Sequence, residues 1–203
     1  MIGFRYLIYV IISIIFLGSG CASGPKIERV GSDTTVDVSG RWNDTDSRLV
    51  AQEMINDCLS RSWVDRFQAG NNQHIPSVIV GSVRNRSHEH INVQTFVKNL
   101  ERSLINSGRV QFVASKGERE QIRFEREDQA RNASDESMKG PGQEQGADFM
   151  LIGTINTIRD EIKGTAVMYY QVNLELVSLA DNVKAWIGEK QIKKVITRPK
   201  VGW

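Results

Sequence analysis

The 203-residue chain has three histidines, His74, His88 and His90, and two of them stand one residue apart in Ser87-His-Glu-His-Ile91. In an extended segment that spacing puts both imidazoles on one side and Glu89 on the other. A metal site would need a third or fourth ligand from elsewhere, and acid–base work would need a partly buried partner. A solvated polar loop is the plainer reading. The carboxylates Asp160-Glu161 and Glu125, Glu127 and Asp128 sit beside lysines or arginines, as on solvated faces and turns. Cys58 falls in a helical pattern with no activating His or Asn context, so it reads as a small core residue rather than a nucleophile. GxxxxGKS/T, GxGxxG, GxSxG and HExxH are all missing. No catalytic residue, metal or cofactor is therefore expected, and the chain does not read as an enzyme.

Composition narrows the classes further. Lys and Arg number 26 against 24 Asp and Glu, a formal net charge of +2, too small to announce a polyanion reader. Aromatic residues are 7% of the chain, too sparse for a stacking platform, so nucleic acid is not an expected partner. Hydrophobic residues at 40% and charged residues at 25% fit one ordinary globular domain, expected to be a monomer, and exclude a disordered or multi-span chain. The basic tail Lys190, Lys193, Lys194, Arg198 and Lys200 reads either as the guard of an edge strand or as contact with an acidic partner.

The first 20 residues read as an address. Arg5 precedes the apolar run Tyr6–Leu17, and the small residues Gly18-Ser19-Gly20 follow, the layout of a secretory signal. Leu17-Gly18-Ser19-Gly20-Cys21 resembles a bacterial lipobox, with the leucine one place further from the cysteine than usual. The resemblance implies that Cys21 is lipidated and anchors the chain to a membrane; Ala22 after it favours outer-membrane sorting, facing the periplasm. Residues 21–39 are rich in Gly, Ser, Asp and Thr and read as a tether spanning at most about 60 Å when fully extended.

The elements that must position any site begin near Trp42. Asp44, Thr45 and Asp46 offer an N-cap, and Leu49, Val50, Met54, Cys58, Trp63 and Phe67 predict a helix from about Asp46 to Gln68. Ser77–Val83 is a nearly all-apolar run, predicting a central strand followed by a polar loop, Arg84–Asn92. Phe96, Val97, Leu100, Leu104 and Ile105 predict a second helix ending at Gly108, and Val110–Ala114 a short strand. Lys116–Arg131 predicts a solvated, charge-laced helix, possible helical continuation over Ser134–Gln145 being broken at Gly140-Pro141-Gly142. Ala147–Ile158, Val167–Leu179 and Val183–Ile196 predict three strands closing as an antiparallel meander. The fold class is α/β: a mixed four- to five-stranded sheet packed with helices, as one domain over residues 40–198 with a tail at 199–203.

With those elements in place, Pro76–Asn92 and the helix after it resemble the LpoB family of outer-membrane lipoproteins, activators of class A penicillin-binding proteins with a fold similar to the TolB N-terminal domain. Ser107–Ser115, Gly146–Asn156, Tyr169–Leu176 and the Trp-containing Val183–Lys190 also look like family segments. The resemblance implies that the chain docks on an accessory domain of a class A penicillin-binding protein and stimulates its glycosyltransferase and transpeptidase activities, regulating peptidoglycan synthesis. Family members often carry a long Pro-rich linker, whereas this tether is short and holds only Pro25. Two exposed segments are the docking candidates: the loop after the first strand, with Arg84, Asn85, Arg86, His88 and His90, and the charged helix, with Arg119, Arg123 and Arg126. The alternatives are a structural or secretion-associated lipoprotein similar to the CsgG family, and a small hydrolase or metal enzyme using His88 and His90.

Overall fold

The computed structural model of the chain describes residues 27–197. Residues 27–34 hold one short turn, and every helix and strand described belongs to the unit that begins at Thr35. Cys21, Arg198 and Lys200 lie outside the described residues.

Helix α1 (Asp44–Ser60) starts one residue after its cap. The Asn43 side chain accepts from the Asp46 N–H while the Asp46 carboxylate accepts from the Asn43 N–H, so two otherwise orphaned donors are satisfied reciprocally. The helix predicted to run on to Gln68 instead stops at Ser60, and α2 (Trp63–Gly70) is a separate element. The Trp63 indole N–H donates to the Cys58 carbonyl at 2.8 Å, taking an acceptor that a continuous helix would give to its own backbone. The break turns Trp63 and Phe67 edge-on to Phe149, at centroid distances of 5.0 and 5.4 Å.

Strand β1 (Ser77–Arg86) is three residues longer than its apolar run, because Arg84, Asn85 and Arg86 still pair with the neighbouring strand. Helix α3 (Val93–Asn106) buries Phe96, Leu100 and Leu104 completely or nearly so. Strand β2 is only Gln111–Phe112, and α4 (Lys116–Asn132) buries no residue. Past Asn132 the chain returns in turns, not helix, to β3 (Phe149–Ile162), β4 (Thr165–Ser178) and β5 (Lys184–Thr197).

These strands form one sheet in the order β2-β1-β3-β4-β5, with β1 parallel to β2 and β3 and the last three antiparallel. Parallel neighbours need crossovers, which α3 and α4 supply; the antiparallel pairs need only tight turns, at Gly164 (φ 85°) and Asn182 (φ 63°). One sheet face carries Val78, Val80, Val83, Leu151, Ile155, Tyr170, Val172, Leu174 and Leu176, all buried against α1 and α3. Removing each such side chain from water stabilises the fold by about 1.5–3 kcal/mol. Edge strand β5 is fastened to α1 by polar contacts at 2.6 to 2.8 Å: Trp186 Nε1 to Asp57, Lys190 to Glu53 and Lys194 to Asp46. Lys190 and Lys194 thus bind inward rather than guard the edge.

Candidate functional site

Strand β1 delivers its arginines through an irregularity. Val78 and Val80 face the core, and strict alternation would turn Ser82, Arg84 and Arg86 inward as well. Between Val80 and Val83 the register against β3 shifts by one residue, a bulge at Gly81-Ser82. Side-chain parity therefore inverts: Val83 and Asn85 turn in, and Arg84 and Arg86 turn out beside Thr154 and Asn156, their register partners on β3. Across the sheet the same outward rows continue with Asn173 and Gln171, then Glu189 and Gln191. Ser82, Arg84, Ile152, Thr154, Asn173 and Glu175 line a shallow cleft of about 210 Å³.

The loop after β1 is pinned from below. Asn85 Nδ2 donates to the Glu89 carbonyl at 2.8 Å, and the His88 N–H donates to Thr157 Oγ1 at 3.2 Å. Glu89 Oε2 accepts from the Trp42 N–H at 3.1 Å and from the Tyr170 hydroxyl at 2.9 Å. Tyr170 is fully buried; its phenol is held above its ordinary range by that burial first and by the Glu89 carboxylate second. Ile91 plugs into the core, and Asn92 caps α3. With Glu89 turned in, His88 and His90 are exposed on the rim of a cleft of about 580 Å³ that also holds Arg41, Arg159 and Met168. Among the described residues no group of three His, Cys, Asp or Glu side chains is placed to hold a metal ion. Cys58 is fully buried, and burial pushes its thiol up to about 12.

Helix α4 is held differently. Ser115 and Glu118 form a capping box, and Lys98 of α3 reaches Glu118 at 2.9 Å and Glu101 at 2.6 Å. Lys98 and the Ser115 contacts hold the Glu118 carboxyl down at about 2. Arg123 makes a two-pronged pair with Glu144, both contacts at 2.8 Å, and Arg126 stands 3.5 Å from the same carboxylate. Arg119 donates to the Ala114 carbonyl at 2.8 Å. Arg119 and Arg123 line a cleft with Ile79, Val113 and Met150, separate from the one that Arg84 lines.

Residues 46–192 match the family described as peptidoglycan-synthase activator LpoB. The chain belongs to that family. The chain is similar in fold to the LpoB C-terminal domain from Escherichia coli, with 15% identity over 66% of this chain and 100% of that one and a TM-score of 0.37. The full Escherichia coli LpoB structure gives 14% identity, 89% and 87% coverage and a TM-score of 0.37. Lipoprotein GNA1162 from Neisseria meningitidis gives 15%, 62% and 88%, and 0.39. No curated protein matches the chain.

An LpoB-family chain is an activator of peptidoglycan synthases and not itself an enzyme, so its surfaces carry its function. The two candidate groups differ in what their cations already do. Arg123 and Arg126 hold Glu144, and Arg119 closes the start of α4. Arg84 and Arg86 make no side-chain hydrogen bond or ion pair with any described residue. Sequence reasoning missed Glu89, Tyr170 and Glu144. The His-Glu-His alternation signalled Glu89 as the inward residue, but its partners are 47 and 81 residues away.

Proposed function

We propose that this chain is a lipid-anchored periplasmic activator, held at the outer membrane through Cys21, that docks on the accessory domain of a class A penicillin-binding protein and stimulates its glycosyltransferase and transpeptidase activities. The family assignment of residues 46–192 carries the reading. Residues 21–39 form the tether, residues 40–198 the single domain that docks, as a monomer, and residues 199–203 a tail. The docking surface is the end of β1 and its loop, with Arg84, Asn85, Arg86, His88 and His90; Arg119, Arg123 and Arg126 of α4 form a second candidate group, of which Arg119 and Arg123 line a separate cleft beside Ile79 of β1. The Arg84 and Arg86 guanidiniums, which have no partner among the described residues, support this placement, since such a cation pairs with an incoming carboxylate without breaking a contact seen there.

Activation needs no chemistry in the activator. The chain has only to bind the active state of the synthase more tightly than the inactive state, and a tenfold shift in that equilibrium takes about 1.4 kcal/mol of differential binding. A tether of at most about 60 Å requires the partner's docking domain to come within that reach of the anchoring membrane.

The test is a glycan-polymerisation assay with a class A penicillin-binding protein from the same cell, together with a direct binding measurement. Stimulation is expected from the wild-type chain and is lost when Arg84→Glu and Arg86→Glu are combined. Arg102→Ala, an exposed change on α3, serves as the control that retains it. Absence of binding up to about 100 µM overturns the proposal.

A further inference from the structure

Strand β1 is covered on its β2 side for only two residues, Ser77 and Val78, because β2 ends at Phe112. The Val113 N–H still donates to the Val78 carbonyl at 2.9 Å, after which the chain leaves through Ser115 into α4. In a strand the backbone N–H and C=O groups of successive residues point to opposite edges. Ser77 points toward β3, its carbonyl accepting from the Asp148 N–H, and Val78 points the other way. Core-facing residues of β1 therefore aim their backbone at the β2 side, and beyond Val78 these are Val80, Val83 and Asn85. The described residues provide those groups with no hydrogen bond. The result is a strand edge about 20 Å long, from Val80 to Arg86, to which the described residues bring no partner strand.

We infer that this edge accepts an extended acidic segment of a partner as an added strand, prolonging the line that β2 abandons. Main-chain hydrogen bonds to Val80, Val83 and Asn85 supply affinity, and side chains alternating on the incoming strand supply specificity. Arg84 and Arg86 project from the outward face of the same strand with no acceptor among the described residues, so carboxylates at alternate positions of the added strand fall beside them. The same charges reject a second copy of this chain, because two β1 edges laid together would set arginine against arginine. The bulge at Gly81-Ser82 makes the combination possible: without it the arginines would face the core and the free edge would carry no charge.

This inference rests on the proposed docking only for the identity of the partner. It is tested on the full chain by amide hydrogen exchange. The probes are a synthetic peptide alternating Glu and Val, the same peptide N-methylated at alternate residues, and a Lys-Val counterpart. The acidic peptide is expected to slow exchange at the Val80, Val83 and Asn85 amides at least tenfold. Its affinity is expected to fall about tenfold in the Arg84→Ala, Arg86→Ala double variant, and the N-methylated and Lys-Val peptides are expected not to bind. Equal binding of the N-methylated peptide, or protection along β5 instead of β1, overturns the inference. With the penicillin-binding protein as probe, binding that leaves these amides unprotected sinks strand addition while sparing docking. Peptide protection without synthase binding sinks docking alone.

Discussion

Replacing Tyr170 by Phe removes one oxygen from the point where three distant parts of the chain meet. The hydroxyl donates to Glu89 Oε2 at 2.9 Å, and the same oxygen accepts from the Trp42 N–H at 3.1 Å. Trp42 in turn lies edge-on to Tyr170 and Phe96, at 5.6 and 6.0 Å, and its indole N–H donates to Ser47 at 2.7 Å. A buried hydrogen bond to an ionised carboxylate contributes about 1.5–3 kcal/mol, and Phe fills the ring's place without leaving a cavity. Glu89 is half-buried, so water recovers part of the loss, which sets the expected destabilisation near 2 kcal/mol. In a domain of this size that lowers Tm by about 4–8 °C. Calorimetry on the wild type, Tyr170→Phe, Glu89→Gln and the double variant closes a double-mutant cycle, with an expected coupling of about 1–2 kcal/mol. If Tyr170→Phe stays within about 0.5 kcal/mol of the wild type and the coupling vanishes, Glu89 does not anchor the loop that presents His88 and His90. If the anchor holds, the variant also speeds amide exchange from Ser87 to Ile91 more than elsewhere.

Gly153→Ala is expected to destabilise the domain by about 1–3 kcal/mol in chemical denaturation, because a Cβ there would meet the Asn173 carbonyl oxygen and Leu174 Cδ2, both at 2.5 Å. Cys58, with its thiol near 12, should resist iodoacetamide at pH 8 in the native chain and react only on unfolding, as mass spectrometry would show. Glu118 titrates at about 2 when folded against an ordinary 4.5, so its contribution is present above pH 4.5 and is lost as pH falls toward 2. Lys98→Ala should reduce that acid-side dependence for α4 without abolishing it, because the Ser115 contacts to Glu118 remain; it is read as helical signal between pH 5 and 2, with the core transition near its wild-type position, and the pair is exposed enough for salt to weaken it.

Much of the architecture was legible in residue order because it depends on local periodicity. The alternation of Val172, Leu174 and Leu176 places a half-buried strand, and all three are buried in β4. The spacing of Phe96, Leu100 and Leu104 defines one helical face, and the charge pattern of Lys116–Arg131 marks a helix with nothing to bury, as α4 is. The division of the first helix was not legible, because its cause is the indole of Trp63 competing for a backbone carbonyl and an aromatic contact with Phe149, a residue over eighty positions away. Nor did the lysines of the final strand declare their partners, since Glu53 and Asp46 belong to the first helix.

The candidate surface divides along the same line. Residue types and their order determined that a polar, cationic stretch follows an apolar strand, and that Glu89 faces away from its flanking histidines. Only the tertiary structure decided which face the arginines take, because that depends on an extra residue at Gly81-Ser82 that is visible only as a register shift against β3. Pairing is settled at the same level. Arg123 and Arg84 are alike in sequence, but the chain's return path brings Glu144 to the first, and no described residue pairs with the second. A period of two fixes alternation along a strand but not its starting parity, and a formal charge does not name its partner. Both are set where distant segments pack.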